Sequence, residues 1–189
     1  MAGTEKGMTE LILGPTFETE RLILRPPSEA DLDAWAEMSN DEEAMRYLGG
    51  IISRAETWRV IAGTIGAWVI RGYGMFSVIE KKSNAWVGRI GPLSPEGWPG
   101  TEVGWGLHPA YFGKGYATEA ATRCMDWVFD DLGWTDAIHC IAPENKPSQK
   151  VAERLGSRNR GPGKLPPPWQ DKPNDLWGQT REQWRARQR

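Results

Sequence analysis

Two glycines, Gly113 and Gly115, lie between a predicted strand and a predicted helix in the stretch HPAYFGKGYATEA. The strand is TEVGWGLHP, which ends at Pro109, and the helix is ATEAATRCMDWVFDDLGW. Such a turn leaves the N–H groups of the first helical turn free, and the helix dipole adds partial positive charge there. Glycine also lets the backbone come close to phosphate oxygens. The stretch therefore predicts an anion site that could bind ATP, a dinucleotide or coenzyme A.

Two common phosphate-binding motifs do not fit this turn. A P-loop requires G-x-x-x-x-G-K-[ST], but Lys114 is followed by Gly115, which has no hydroxyl to hold magnesium. The dinucleotide fingerprint G-x-G-x-x-G/A can be placed on Gly113, Gly115 and Thr118, but its third small position fails. That fingerprint also opens a βαβ unit, whereas this turn follows antiparallel strands. A helix entry without a ligand, in which the glycines only make a tight turn, is the remaining structural interpretation.

The rest of the chain predicts one mixed sheet. ERLILRP alternates as a strand does, and MFSVIE and AWVGRI form a hairpin around residues 81–84. Capping boxes at Ser28 and Ser53 precede two helical regions. The apolar positions of the second region fall near the helical period, and they are Trp58, Ile61, Ile65, Trp68 and Val69. DAIHCIA is a strand, NKPSQKVAERLG is a helix, GPGKLPPPWQDKPN is a loop and DLWGQT is a last strand. We expect an α/β (α+β) fold whose sheet is mostly antiparallel, with helices on both faces.

Length and charge limit the organisation and the partners. The 189 residues suit one domain with a sizeable core, and we expect a flexible segment over residues 1–15 and a single domain over 16–189. A net charge of −2 supplies no basic field for nucleic acid or an anionic membrane. The basic residues of REQWRARQR are those of a solvated helical tail. No signal peptide and no membrane-spanning run is visible, which predicts a cytoplasmic protein.

The cysteines and histidines suggest no metal site. Cys124 and Cys140 lie in apolar runs without metal-ligand or disulfide spacing, so we expect two buried reduced thiols. His108 precedes Pro109 and is predicted to be a turn residue. His139 lies inside an apolar strand, where a hydrogen-bonded core histidine is the expected role.

Taken together, these motifs resemble the GNAT superfamily of acetyl-CoA-dependent N-acetyltransferases, and especially the branch that includes enzymes acetylating the N-termini of ribosomal proteins. HPAYFGKGYATEA is similar to the family's pyrophosphate-binding motif, and ETERLILRP resembles the branch's opening strand. EVGWGLHP resembles the strand that splays at the cofactor, and PENKPSQKVAERLG resembles the second cofactor motif. The likeness covers nearly the whole chain. It implies a GNAT-like acyltransferase fold with acetyl-CoA as co-substrate and no metal.

The resemblance also implies site residues. Backbone groups that would pair with the pantetheine arm and the acetyl carbonyl belong to Trp105, Gly106 and Leu107. Backbone N–H groups that would hold the pyrophosphate belong to Gly113, Lys114, Gly115, Tyr116, Ala117 and Thr118. Asn145 and Ser148 would contact the arm near the thioester sulfur. The chain departs from the wider superfamily at Phe112, where Arg or Gln is common, and in having no tyrosine after Tyr116 to act as the usual acid.

Amine acetylation requires a neutral amine, a polarised carbonyl and a proton for the departing thiolate. By the resemblance, Ser148 takes the missing tyrosine's place as proton donor. The alternative for Ser148 is a hydrogen-bonding residue near a helix start that Asn145 caps. Glu102 could take the amine's proton directly or through water, and otherwise is an exposed strand residue. Strand alternation puts Glu102, Gly104 and Gly106 on one face, which leaves room for a substrate beside the carboxylate.

Two functions of different classes follow. The first is direct acetyl transfer to a primary amine, on a protein N-terminus, a small polyamine or amino acid, or an amine-bearing antibiotic. The second is a non-catalytic acyl-CoA-binding module that regulates a partner. A nucleotide enzyme would need an acidic metal-binding cluster that is not seen beside the turn. We expect the acceptor pocket to be built by residues 41–70, LSPEGWPG and GPGKLPPPWQDKPN; a homodimer is compatible with the sequence.

Overall fold

The structure is a computed structural model that describes residues 13–187. The strands of this part of the chain are β1 (Phe17–Glu18), β2 (Leu22–Arg25), β3 (Phe76–Glu80), β4 (Ala85–Leu93), β5 (Glu102–Leu107), β6 (Asp136–Ile141), β7 (Arg158–Gly163) and β8 (Asn174–Thr180). Its α-helices are α1 (Leu32–Ser39), α2 (Glu42–Met45), α3 (Arg54–Arg71), α4 (Tyr116–Asp130), α5 (Lys146–Leu155) and α6 (Arg181–Arg187). Short 3-10 helices span Glu29–Asp31 and Pro109–Tyr111.

The strands form one sheet in the order β1-β2-β3-β4-β5-β6-β8-β7. All neighbours are antiparallel except β5 and β6, which run parallel because α4 carries the chain back between them. The predicted mixed, mostly antiparallel sheet is therefore confirmed. The parallel contact is short: only Glu102 and Ile138 are register partners, whereas β4 and β5 pair over the whole length of β5. Beyond Glu102 the two central strands diverge.

Helices cover both faces of this sheet, as the sequence predicts. Alternate residues of β2 show how the faces divide, because a strand turns successive side chains to opposite sides. Leu22 and Leu24 belong to a core cluster that includes the buried face of α4. Ile23 packs instead against a second cluster, which includes Trp35 of α1 and Trp86 of β4.

Helix α3 begins and ends where its sequence signals place it. Ser53 Oγ accepts from the Glu56 backbone N–H at 3.3 Å, and Glu56 Oε2 accepts from the Ser53 backbone N–H at 2.8 Å, which completes the capping box. Gly72 ends the helix with a φ of 73°. The apolar face was predicted wrongly in part, because Trp58 and Val69 are 52% and 65% exposed. Ile61 and Trp68 are buried as predicted, and Thr57 is buried with them.

The C-terminal region departs from two expectations. Residues 161–163 were predicted to be loop but belong to β7, an edge strand that pairs with β8 across a register shift between Asn159 and Pro162. Proline is tolerated at such an edge or bulge, so its presence did not exclude a strand. The tail is not simply solvated, since Trp184 is buried and donates from Nε1 to Asp126 Oδ1 at 2.9 Å.

The predicted flexible segment over residues 1–15 lies mostly outside the described residues, which begin at Leu13. Leu13 itself packs against the core cluster of α4, so packed structure starts before residue 16. Between residues 13 and 187, no helix combines the length and apolar character needed to span a bilayer.

Candidate active site

The glycine turn, residues 113–115, opens helix α4 toward solvent. Gly113 and Gly115 have φ values of 73° and 83°, in the left-handed region that glycine adopts without strain. Gly115 is the N-cap of α4. A Cβ at Gly113 would have no atom within 4 Å, so a ligand can reach the backbone there. The turn therefore has the exposed N–H groups of an anion site.

A second feature at this helix start favours an anion. Thr118, within the first turn of α4, has a buried Oγ1 that lacks a hydrogen-bond partner among the described residues. A buried hydroxyl without a partner is costly, and an anion beside the helix N-terminus would satisfy it. The backbone N–H groups of residues 113–118 together with this hydroxyl fit a ligand with several phosphate oxygens.

The opening strand of the chain braces the turn. Arg21 donates from Nη1 to the Lys114 carbonyl oxygen at 2.9 Å and from Nε to Glu119 Oε2 at 2.7 Å. Thr19 Oγ1 donates to Glu119 Oε1 at 2.6 Å, and the Arg21 guanidinium lies 4.6 Å from the centre of the Tyr116 ring. This part of ETERLILRP thus fixes the position of the glycine turn as well as forming a strand.

Side chains replace the main-chain ladder where β5 and β6 diverge. Glu102 Oε1 accepts from the Cys140 backbone N–H at 3.1 Å, and His139 Nδ1 donates to the Val103 carbonyl oxygen at 2.6 Å. These bonds hold the strands at the divergence without pairing them further. The β6-facing edge of residues 105–107 is consequently open to an extended ligand that pairs like a strand.

A cavity of about 760 Å³ passes through this divergence. Most of its wall is apolar, and it contains residues from all three segments predicted to form the acceptor pocket, among them Leu48, Trp98 and Trp169. Both faces of β5 contribute, because Glu102 and Trp105 point to opposite sides. Its volume is that of a site for a small organic molecule.

Glu102 is not the exposed strand residue considered as an alternative. It is 6% exposed, and Trp98 Nε1 donates to its Oε2 at 2.6 Å. Burial raises the pKa of its carboxyl above the usual range, while hydrogen bonds from Cys140 and Trp98 oppose that rise. Gly104 lies on the same face, where a Cβ would be 3.4 Å from Glu102 Oε1. This arrangement suits a base whose pKa lies closer to neutral pH than the pKa of an ordinary glutamate.

Ser148 lies across β5 from Glu102 and has a hydroxyl hydrogen to donate. Asn145 is the N-cap of α5, and its Oδ1 accepts from the Ser148 backbone N–H at 3.2 Å. The Ser148 side chain is therefore not needed as the cap. Its Oγ accepts from Trp105 Nε1 at 3.1 Å, which orients the hydroxyl and leaves its hydrogen available.

The two histidines lie where the sequence predicts. His139 is 1% exposed, packs 4.9 Å from the Trp105 ring, and has its Nε2 2.9 Å from Ser157 Oγ. Because Nδ1 donates to a carbonyl oxygen, the neutral ring accepts from Ser157 at Nε2. Burial lowers the pKa of His139 to about 4. His108 forms the 3-10 turn, with Nδ1 accepting from the Ala110 backbone N–H at 3.3 Å.

His139 gives the fold a defined acid sensitivity. Its pKa falls from 6.5 to about 4 on folding, so the unfolded chain binds a proton first as the pH drops. We expect about 3 kcal/mol of stability, fully present above pH 6.5, to be lost between pH 6.5 and 4. Urea unfolding across this range should show a steeper pH dependence for the parent than for His139→Gln. If the free energy of unfolding changes equally with pH in both proteins, His139 does not control the acid sensitivity.

Sequence reasoning missed Arg89, a half-buried residue of β4 that lines the same cavity. Its Nη1 donates to Met75 Sδ at 3.0 Å, while its buried Nε has no partner among the described residues. The available signal was a charged residue inside the short apolar strand AWVGRI. Trp98 was also missed, because nothing in the sequence of its loop predicts a hydrogen bond to Glu102.

The described residues contain no group of three or more His, Cys, Asp and Glu side chains that could hold a metal ion. Cys124 is buried, as expected, whereas Cys140 is only half-buried and lines the cavity. Burial raises the pKa of both thiols, which keeps them protonated near neutral pH. Neither thiol is therefore a ready nucleophile.

Comparisons with known proteins agree with this geometry. The uncharacterized N-acetyltransferase YnaD of Bacillus subtilis is 28% identical over 144 residues, which is 76% of this chain and 82% of YnaD. An acetyltransferase from Agrobacterium tumefaciens has a solved structure with a TM-score of 0.76 and 30% identity, covering 87% of this chain and 94% of that one. A GNAT-family acetyltransferase from Bacillus anthracis gives a TM-score of 0.76 and 29% identity, covering 89% and 99%.

The branch named by the resemblance is also among the structural neighbours. A ribosomal-protein alanine acetyltransferase from Vibrio fischeri has the same fold, with a TM-score of 0.67 over 90% of this chain and 98% of that one, at 19% identity. Residues 21–158 match the Acetyltransferase (GNAT) domain family. This chain therefore belongs to the GNAT family of acetyl-CoA-dependent acetyltransferases.

Proposed function

We propose that the protein transfers an acetyl group from acetyl-CoA directly to a primary amine, on a protein N-terminus or a small molecule. One observation carries the proposal: the buried carboxylate of Glu102 and the oriented hydroxyl of Ser148 line one cavity at the divergence of β5 and β6. A base and an acid on opposite sides of an opening suit a reaction that removes a proton from one reactant and supplies one to the other.

The co-substrate would lie along the opening. The N–H groups of residues 113–118 and Thr118 Oγ1 would hold the pyrophosphate, and the open edge of residues 105–107 would pair with the pantetheine arm. Asn145 uses its Oδ1 to cap α5, and its Nδ2, which donates to no atom in the described part of the chain, would contact the arm. Acetyl-CoA supplies the thioester, and its sulfur would lie beside Ser148.

The proposed reaction needs no covalent enzyme intermediate. The amine nitrogen bonds to the acetyl carbon and the carbon–sulfur bond breaks. The amine's proton passes to Glu102, directly or through water, and the thiolate receives a proton from Ser148. Water then returns a proton to the Ser148 oxygen, and Glu102 releases its proton to solvent, which restores both groups. The protonated thiol of Cys140 is consistent with direct transfer, because acyl transfer through cysteine would need a thiolate.

A matched pair of variants at Gly113 tests the cofactor site. Asparagine and aspartate are similar in size, and both tolerate the left-handed backbone better than most residues. Only aspartate adds negative charge beside the proposed pyrophosphate site. We expect acetyl-CoA affinity, measured by calorimetry, to be about 10-fold or more weaker in Gly113→Asp than in Gly113→Asn.

The same proteins test catalysis through release of free CoA thiol with a panel of amines. The parent should release thiol with at least one amine, and Gly113→Asp should need more acetyl-CoA for the same rate. Equal affinities of the two variants would contradict the assigned phosphate site. Tight binding by the parent without thiol release for any amine would favour the non-catalytic module.

A further inference from the structure

The guanidinium of Arg89 has hydrogen-bond donors without strong acceptors, which is typical of a residue that binds a ligand. Its side chain is half-buried, and its Nε is shielded from solvent without a hydrogen-bond partner among the described residues. Within residues 13–187 its Nη1 donates only to the sulfur of Met75, at 3.0 Å, and sulfur is a weak acceptor. Burial lowers the pKa of Arg89, and the charge of Glu102 partly opposes this. The arginine stays charged, because a guanidinium is protonated at all ordinary pH values in proteins.

No carboxylate of residues 13–187 forms an ion pair with Arg89. This is unusual, because a buried charge normally has a partner that offsets its desolvation. Trp35 lies against the guanidinium, with its ring centre 5.8 Å from Cζ. Contact with an aromatic ring limits the orientations of the guanidinium. The fork of donors is therefore held at the cavity wall.

Arg89 lies close to the proposed base along β5. A Cβ at Gly106 would be 3.8 Å from Arg89 Nε, and a Cβ at Gly104 would be 3.4 Å from Glu102 Oε1. These two positions are separated by two residues of strand, or about 7 Å. Neither glycine has a side chain of its own, and the space beside them is bordered by Leu93 Cδ2 and Leu48 Cδ1, each 3.0 Å from the respective Cβ position. A molecule with neighbouring amine and anionic groups can span this distance.

We propose that the acceptor is a free amino acid with an apolar side chain. Its amine faces Glu102, its carboxylate binds Arg89 and its side chain occupies the rest of the cavity. The inference rests on the proposed acetyl transfer and narrows its acceptor. A carboxylate matches the two parallel donors of a guanidinium and would supply the partner that Arg89 lacks. The apolar wall, with Met38, Leu48 and Leu165, favours an aliphatic or aromatic side chain.

A peptide N-terminus fits this arrangement less well. The group next to its α-amine is an amide, whose neutral carbonyl would leave the charge of Arg89 uncompensated. A polyamine would put a second cation near Arg89, where like charges repel. In the acetyl transfer itself the carboxylate is unchanged, so Arg89 acts as a residue that selects and orients the acceptor.

The test compares leucine, methionine and phenylalanine with their carboxamides as acceptors, at saturating acetyl-CoA and with thiol release as the readout. We expect kcat/KM to be about 10- to 100-fold higher for the acids. The amide's amine loses its proton more readily than the amine of the free amino acid, so amine basicity cannot produce this preference. A decapeptide with the same N-terminal residue serves as the protein-like acceptor.

Variants then assign the preference to Arg89. Arg89→Gln should raise KM for the acids, erase the acid-over-amide ratio and leave acetyl-CoA affinity unchanged. Arg89→Lys should restore part of the ratio, because it keeps the charge but loses the fork. Arg158→Gln, an exposed position on β7 outside the cavity, is the matched control. Circular dichroism and thermal unfolding check that each variant is folded.

The outcomes separate this inference from the proposed function. Amides or peptides acetylated as well as the acids, or an acid preference that survives in Arg89→Gln, would overturn the amino-acid acceptor while leaving acetyl transfer intact. An absence of thiol release with every amine, despite acetyl-CoA binding, would overturn both.

Discussion

Replacing Glu102 by glutamine is expected to lower turnover by about 10²- to 10⁴-fold and to remove the acidic limb of its pH profile. A carboxylate can accept the amine's proton only when it is ionised, so the rate should rise with pH through the pKa of Glu102 if Glu102 is the base. Burial raises that pKa, and the limb should therefore lie above the range of an exposed glutamate. The profile is measured at saturating acceptor and acetyl-CoA.

The hydrogen bonds of Glu102 require a second variant as control. Both its oxygens accept, from Cys140 and from Trp98, so one end of a glutamine amide would face a donor. We expect Glu102→Gln to lose about 1–3 kcal/mol of stability for this reason. The double variant Trp98→Phe/Glu102→Gln also lacks the Trp98 Nε1 donor. Part of the lost stability should therefore return, while the turnover rate and the acidic limb of the pH profile should not.

Retention of both the rate and the limb in Glu102→Gln would reduce Glu102 to a residue that joins β5 to β6. The enzyme would then depend on amines that arrive neutral. A peptide α-amine has a pKa near 8, whereas a lysine-like amine is almost wholly protonated at pH 7. Such a result would favour α-amines over lysine-like acceptors.

Ser148→Ala is expected to lower turnover by about 10²- to 10⁴-fold with a smaller effect on acetyl-CoA affinity. The alanine leaves the thiolate without a nearby proton, while the cap of α5 stays intact because Asn145 supplies it. Single-turnover rates and calorimetric affinities measure the two effects separately. Ser148→Thr keeps a hydroxyl and should recover part of the rate.

Trp105→Phe is the matched test of how the hydroxyl is oriented. It removes the Nε1 donor to Ser148 Oγ but keeps an aromatic ring beside His139. We expect a turnover between those of the parent and Ser148→Ala. Unchanged turnover in Ser148→Ala would remove Ser148 from the mechanism, and a loss confined to affinity would make it a binding residue only.

The local signals of the sequence predicted most elements, because they act between residues close in the chain. The capping box of Ser53 and Glu56 spans a single helical turn, and Gly72 ends the same helix by its own backbone preference. The exceptions arose where packing decides exposure. Whether Trp58 meets a neighbour depends on what covers α3, and an edge strand such as β7 is compatible with proline.

The glycine turn, the mixed sheet and the family could be predicted from the amino-acid sequence, since each depends on local periodicity or on a contiguous motif. The chemical environment of the candidate site residues depends on the folded chain. Burial raises the pKa of Glu102, while hydrogen bonds from Trp98 and from Cys140 of the neighbouring strand oppose that rise, and sequence alternation reveals neither effect. The charge of Arg89 was visible, but its lack of a carboxylate partner follows from how the surrounding strands and helices pack. Hydrogen bonding and desolvation depend on distances between residues far apart in the chain, and folding alone sets those distances.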